Sequence, residues 1–129
     1  MSNGDLPHTV IRNGRVVTPD AVVKADLLVC GETISEIGID LDCRDARVID
    51  AQNRIVMPGG IDVHTHFCPD VGVAVAQDDF YTGTVAAAIG GTTCVVDHPG
   101  FGPDRCSVFH QIDRYHELAD GNAVVDYSF

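Results

Sequence analysis

The sequence is short of basic residues, and of lysine above all. It has 8 lysines and arginines against 19 aspartates and glutamates in 129 residues, which gives a formal net charge of −11, and Lys24 is its only lysine. A chain with this charge is repelled by nucleic acids and by anionic membrane surfaces. We therefore predict neither as a partner.

The features of exported and membrane-spanning proteins are also lacking. The first eight residues, Met-Ser-Asn-Gly-Asp-Leu-Pro-His, hold neither a basic segment nor an apolar one, and no apolar run approaches the roughly 18 residues of a membrane span. The cysteines are odd in number and form no Cys-x-x-Cys pair, which is typical of reduced thiols. We expect a soluble, cytoplasmic protein.

Residues 1–57 read as a small antiparallel β unit. Turn residues separate short apolar runs, and Asn13-Gly14 between two such runs favours a hairpin. About 50 residues of short strands seldom bury a self-sufficient core, so this unit should pack on something else. The predicted strands are 9–12, 15–18, 21–30, 33–37, 47–50 and 54–57.

Residues 58–129 follow a different pattern, in which apolar strands alternate with helices. Strands are predicted at 61–66, 92–97 and 123–129, with helices that run from Asp78-Asp79 to Gly90-Gly91 and over 104–120. This alternation is typical of βαβ units and a parallel sheet. A last strand with no following helix leaves apolar faces uncovered, so we expect the beginning of a larger α/β fold.

His64 and His66 lie two positions apart on the first strand of the second part. Side chains at i, i+2 and i+4 share one face of a strand, so Asp62 points the same way as both histidines. Such a spacing also arises by chance, and the bare pair is weak evidence. Its place at the carboxyl end of a first parallel strand, where (β/α)₈ barrels hold their active sites, favours metal ligands over a structural pair.

The sequence resembles the amidohydrolase superfamily, in its hydantoinase and dihydropyrimidinase branch. The resemblance rests on Met-Pro-Gly-Gly-Ile-Asp-Val-His-Thr-His at 57–66, Asp-Asp-Phe-Tyr-Thr-Gly-Thr at 78–84 and Gly-Gly-Thr-Thr-Cys-Val-Val-Asp-His at 90–98. Four stretches are most similar to D-hydantoinases of the phenylhydantoinase type: Asp-Val-Gly at 70–72, Asp-His at 97–98, Gly-Phe-Gly-Pro at 100–103 and Asp-Tyr-Ser-Phe at 126–129. The similarity runs from about residue 9 to the end.

This resemblance implies a fold class and a fragment. Residues 1–57 would be the amino-terminal part of a β-sandwich, and 58–129 the first three strands of a metal-dependent (β/α)₈ hydrolase barrel. The family's enzymes are about three to four times as long, from a barrel of about 250 residues plus the sandwich. The full-length protein would be a homotetramer, and the fragment alone would be inactive.

The resemblance also implies a set of site residues. His64 and His66 would bind the more buried of two metal ions, usually two Zn²⁺ per subunit. Asp62, on the same face of the strand, either steadies these ligands, as carboxylates often do, or is an ordinary polar strand residue. The carboxylated lysine, two further histidines and the catalytic aspartate of the family would follow later, and Lys24, in the β unit, cannot replace that lysine. The apolar loop after the ligands would line a pocket for the ring substituent, with Phe67, Val71 and His98 as candidate substrate contacts.

The implied activity is that of a cyclic amidase, which hydrolyses the ring amide of hydantoins or dihydropyrimidines to N-carbamoyl amino acids. Two alternatives remain open. One is another cyclic amidohydrolase, an allantoinase or a dihydroorotase. The other is a non-catalytic relative that keeps the fold as a scaffold, although such relatives often lose the ligand histidines that this chain retains.

Overall fold

A computed structural model describes residues 8–42, 44–67 and 76–129. The chain divides into two compact units, Met1–Pro58 and Gly59–Phe129. Among the described residues, none of the helices has the length and apolar character needed to cross a membrane.

The first unit contains a single five-stranded sheet within its described residues. The strand order is β3-β2-β1-β4, and β5 also pairs with β1. The prediction of an antiparallel unit was wrong in one respect: β1 pairs antiparallel with β2 but parallel with β4 and β5. The strands are β1 (His8–Val17), β2 (Val22–Cys30), β3 (Thr33–Gly38), β4 (Arg47–Asp50) and β5 (Ile55–Val56).

Asn13-Gly14 forms no hairpin, contrary to the prediction, but lies inside the continuous strand β1. Asn13 has a φ of 64°, and the register with β2 shifts between Ile11 and Gly14. This irregularity separates the stretch of β1 that pairs with β4 from the stretch that pairs with β5. A Cβ at position 14 would lie 2.6 Å from Cγ2 of Val56, so the close approach of β5 also requires glycine there.

The core of the first unit is small and apolar, with one buried carboxylate. Val16, Ala25 and Leu27 form its centre. Next to them, Asp26 accepts hydrogen bonds from the backbone N–H groups of Asn13 and Leu41 at 3.0 and 3.3 Å. Burial raises the pKa of Asp26, but these bonds and the interaction with the nearby arginine outweigh it and hold the pKa below its usual value.

The second unit alternates strands and helices, as predicted. Its three strands pair in parallel in the order β6-β7-β8. A helix lies between each successive pair of strands, which is the βαβ arrangement. The elements are β6 (Gly60–Thr65), α1 (Phe80–Gly90), β7 (Thr92–Asp97), α2 (Val108–Ala119) and β8 (Asp126–Ser128).

The ends of the helices follow from local chemistry. Asp79 is the N-cap of α1 and shares a capping box with Thr82, while Gly91, at a φ of 88°, ends the helix in the left-handed conformation. Both ends of α1 are as predicted. Helix α2 begins later than the predicted residue 104, because Ser107 caps it and Arg105 has a φ of 68°.

An aromatic cluster forms the core of the second unit. Phe80, Tyr115 and Ala119 are buried at its centre. The ring of Phe67 packs on the ring of Phe80 with centroids 5.4 Å apart. Edge-to-face contacts of this kind stabilise a core beyond the effect of burying apolar surface. The cluster joins both helices to Phe67, the residue that directly follows the histidine pair.

Candidate metal centre

The centre lies at the carboxyl end of β6, where the strand departs from regular pairing. Its register with β7 shifts between Asp62 and Thr65. The backbone N–H of His64 donates a hydrogen bond to Oδ1 of Asp62 at 3.1 Å. Irregularities of this kind redirect side chains and are common next to active sites. Asp62 therefore holds His64 through its backbone.

The two imidazoles converge on one point. Nε2 of His64 lies 3.1 Å from Nε2 of His66, and both residues are exposed. Nδ1 of His66 lies 3.0 Å from the carbonyl oxygen of His98. Because a carbonyl oxygen only accepts, Nδ1 of His66 carries the proton, and in the neutral ring Nε2 keeps its lone pair. The ring is thus held in the tautomer that binds a metal ion through Nε2.

The spacing of the two nitrogens fits a shared metal ion. Two imidazole nitrogens bound to one zinc at about 2.0–2.1 Å with tetrahedral angles lie about 3.3 Å apart. The distance between the two Nε2 atoms is 3.1 Å. Within the described ranges, however, no group of three or more histidine, cysteine, aspartate or glutamate side chains could hold a metal. The described residues therefore offer two candidate ligands.

His98 contacts both candidate ligands. Its ring stacks on that of His64, with centroids 4.1 Å apart and planes within 2°. Its Nε2 lies 3.2 Å from the carbonyl oxygen of Val63, so this nitrogen acts as a donor. The structure therefore places His98 as a support of His64 and His66. Its predicted contact with substrate stays a prediction.

Asp97 also belongs to this site, although the sequence analysis named it only as part of the resemblance and gave it no site role. It is fully buried at the end of β7, and its Oδ1 accepts hydrogen bonds from Oγ1 of Thr65 and the backbone N–H of Phe67, both at 2.8 Å. Burial raises the pKa of Asp97. The two hydrogen bonds, together with the charge interactions with the nearby His66 and His98, lower it and only partly offset the rise. An acidic residue that ends an apolar, β-branched strand was the available signal.

The sequence analysis also named Phe67 and Val71 as candidate substrate contacts. Phe67 lies against α1 and the aromatic cluster, so its ring has a packing role, and a role in substrate binding stays a prediction. Val71 lies outside the described residues. Lys24 is on β2, opposite Arg15, as expected.

Comparison with known proteins agrees with this geometry. The model of the amidohydrolase family matches residues 55–127, a stretch that covers more than half of the chain and includes the histidine pair. The chain is 49% identical over 126 residues to D-phenylhydantoinase of Escherichia coli O1:K1. The alignment covers 95% of the chain but 27% of that relative, so the chain spans about a quarter of its length.

Solved structures show the same fold. A dihydropyrimidinase from Brevibacillus agri superposes with a TM-score of 0.87 at 47% identity, over 93% of this chain and 26% of the other. A D-hydantoinase (dihydropyrimidinase) from a Thermus species superposes with a TM-score of 0.86 at 34% identity, over 94% and 26%. The predicted fold class, the start of a (β/α)₈ barrel preceded by a small β unit, is confirmed, with the mixed sheet as its correction.

Proposed function

The chain belongs to the amidohydrolase family, and from this premise we propose that the whole protein is a metal-dependent cyclic amidase of the hydantoinase type. It would hydrolyse the ring amide of hydantoins or dihydropyrimidines to N-carbamoyl amino acids. The observation that carries the proposal is the convergence of His64 and His66 at the carboxyl end of the first parallel strand. The 49% identity to a D-phenylhydantoinase supports the substrate class.

The two histidines fit the metal that this chemistry needs. A divalent ion bound there would polarise the ring carbonyl and activate a water molecule. Within the chain, the carbonyl of His98 holds the proton on Nδ1 of His66. Asp62 and the ring of His98 hold His64 from two sides. The proposed ligands are therefore oriented by Asp62 on β6 and by His98, which directly follows β7.

Several finer points belong to the same proposal. Imidazole suits zinc, and the family resemblance favours two zinc ions per subunit. It also favours a homotetramer, which sedimentation of the whole protein would test. A cytoplasmic location rests on the cysteine pattern of the sequence. The chain itself supplies two ligands, and the proposal assigns the remaining ligands and the catalytic aspartate to the rest of the protein.

Ligand variants of the full-length protein test the metal centre. His64→Ala and His66→Ala should lose zinc and activity together, because a pair of imidazoles at 3.1 Å shares one ion. His110→Ala is a matched control, since His110 is exposed on α2, and it should keep both. Full zinc content and activity in both ligand variants would refute the assignment.

A substrate panel tests the reaction. The metal-loaded protein should hydrolyse 5-phenylhydantoin and dihydrouracil faster than allantoin or dihydroorotate, with the N-carbamoyl product identified by mass spectrometry. Preference for allantoin or dihydroorotate would assign it to another cyclic amidohydrolase. Metal binding with no turnover of any member of the panel would favour a scaffold protein.

A further inference from the structure

Asp97 is hydrogen-bonded to both chain neighbours of one proposed ligand, His66. Its Oδ1 accepts the hydroxyl of Thr65 at 2.8 Å and the backbone N–H of Phe67 at 2.8 Å. Thr65 and Phe67 are the residues immediately before and after His66. One oxygen atom therefore fixes the chain on both sides of this histidine.

The same strand end also fixes the His66 ring. The backbone N–H of His98 donates to the carbonyl of Thr65 at 2.9 Å, and the carbonyl of His98 accepts from Nδ1 of His66. The consecutive residues Asp97 and His98 thus hold both neighbours of His66 and its imidazole. Because His66 itself is exposed, these anchors replace the packing that would orient a buried side chain.

Packing alone does not explain a carboxylate at this position. The side chain of Asp97 is 0% exposed, and its Oδ2 has no hydrogen-bond partner within the described part of the chain. Burying a carboxyl group with an unpaired oxygen costs folding free energy. An apolar side chain of similar volume would fill the same space at a smaller cost. The two bonds at Oδ1 are what an apolar residue could not supply.

We infer that Asp97 is a positioning residue of the proposed metal centre, which places Nε2 of His66 for metal binding by holding the side-chain hydroxyl of Thr65 and the backbone N–H of Phe67. This inference rests on the proposed function, since it assumes that His64 and His66 bind the metal. Asp97 acts through His66 and is not itself a ligand. When a residue outside the coordination sphere orients a metal ligand, its mutation typically lowers the affinity for the metal by about 10- to 100-fold.

The test is zinc affinity in the full-length protein, stripped of metal and titrated against a chromophoric chelator. Asp97→Ala should bind zinc about 10- to 100-fold more weakly, and its cobalt form should show an altered visible spectrum. Asp97→Asn keeps an acceptor oxygen and should restore affinity close to that of the wild type. The unfolding of each metal-free variant is measured in parallel.

Asp26→Ala is the matched control. Asp26 is also a buried aspartate that accepts backbone N–H groups, but it lies in the first unit. The Asp26→Ala variant should be less stable than the wild type and should keep the wild-type zinc affinity. If Asp97→Ala does not fold, Thr65→Val removes one of the two donors and should give a smaller loss of affinity.

The outcomes separate the two proposals. Wild-type affinity in Asp97→Ala or in Thr65→Val, or an equal loss in Asp26→Ala, would overturn the positioning role. Asp97→Asn binding as weakly as Asp97→Ala would also overturn it, because the acceptor is still present. Unchanged zinc affinity in His64→Ala and His66→Ala would instead remove the proposed metal centre, and the inference with it.

Discussion

Replacing Gly83 by alanine should destabilise the second unit, although alanine is the better helix former. Gly83 is buried on α1. A Cβ at this position would lie 3.1 Å from Cζ of Phe67, 2.5 Å from its Cδ1 and closer still to its Cε1. The Phe67 ring also packs on Phe80, so moving it away from position 83 would disturb that contact. Either this ring or the helix must move.

The size of the effect follows from two opposing terms. Alanine in place of glycine inside a helix gains about 0.5–1 kcal/mol. Forcing an extra methyl group into a packed core costs about 1–3 kcal/mol. The contact at position 83 is with the body of an aromatic ring, so the second term should dominate. We expect a net loss of about 1–2 kcal/mol.

The assay is urea unfolding of the full-length protein, followed by circular dichroism. Gly90→Ala is the matched control in the same helix, because a Cβ at position 90 would meet nothing within 4 Å, and it should leave the midpoint unchanged or raise it slightly. In a Phe67→Leu background, Gly83→Ala should be less harmful, since the smaller side chain leaves room. Equal midpoints for Gly83→Ala and Gly90→Ala would refute the argument.

Three further predictions concern caps and titrating groups. Ser107→Ala removes the side chain that accepts the N–H of His110 at the start of α2, and should cost about 1 kcal/mol, seen as faster hydrogen exchange in the first turn. Asp26 has a folded-state pKa below its unfolded value, so its contribution to stability should be complete above about pH 5 and lost as the pH falls through the folded pKa; Asp26→Asn should flatten this acid dependence of the unfolding midpoint. The hydrogen bond to Asp120 raises the pKa of Tyr127, so Asp120→Ala should shift one tyrosinate absorbance step to lower pH.

The predictable parts of the fold are those that depend on neighbouring residues. The cap at Asp79 and the end at Gly91 follow from side-chain oxygens and glycine at the right positions. Asn13-Gly14 was not predictable in the same way. A residue with positive φ is compatible with a hairpin turn and with an irregularity inside a strand, and the choice here depends on β4 and β5, which are 30 or more residues away.

The candidate site also has a part that the sequence predicts and a part that it does not. The period of two along a strand predicts that His64 and His66 share a face, and their Nε2 atoms do converge. The roles of Asp97 and His98 depend on how β7 pairs with β6. This pairing is irregular at the site, between Asp62 and Thr65. No pattern within either strand gives this register, so the contacts from β7 could not be predicted from the sequence.

The contacts of the site have a consequence for how the metal centre is assembled. Every contact described for the rings of His64 and His66 comes from those two residues or from His98. The backbone of His64 is held by Asp62 on β6, and both neighbours of His66 are held by Asp97 at the end of β7. Residues on or directly after two adjacent parallel strands therefore orient the two proposed ligands without any contribution from other ligands. Ligands from elsewhere in the protein would then need only to complete the coordination of an ion whose first two bonds are already directed. Preorganisation of this kind reduces the loss of conformational entropy on binding, and it is the physical reason why residues outside the coordination sphere, on β7, are expected to control the metal affinity.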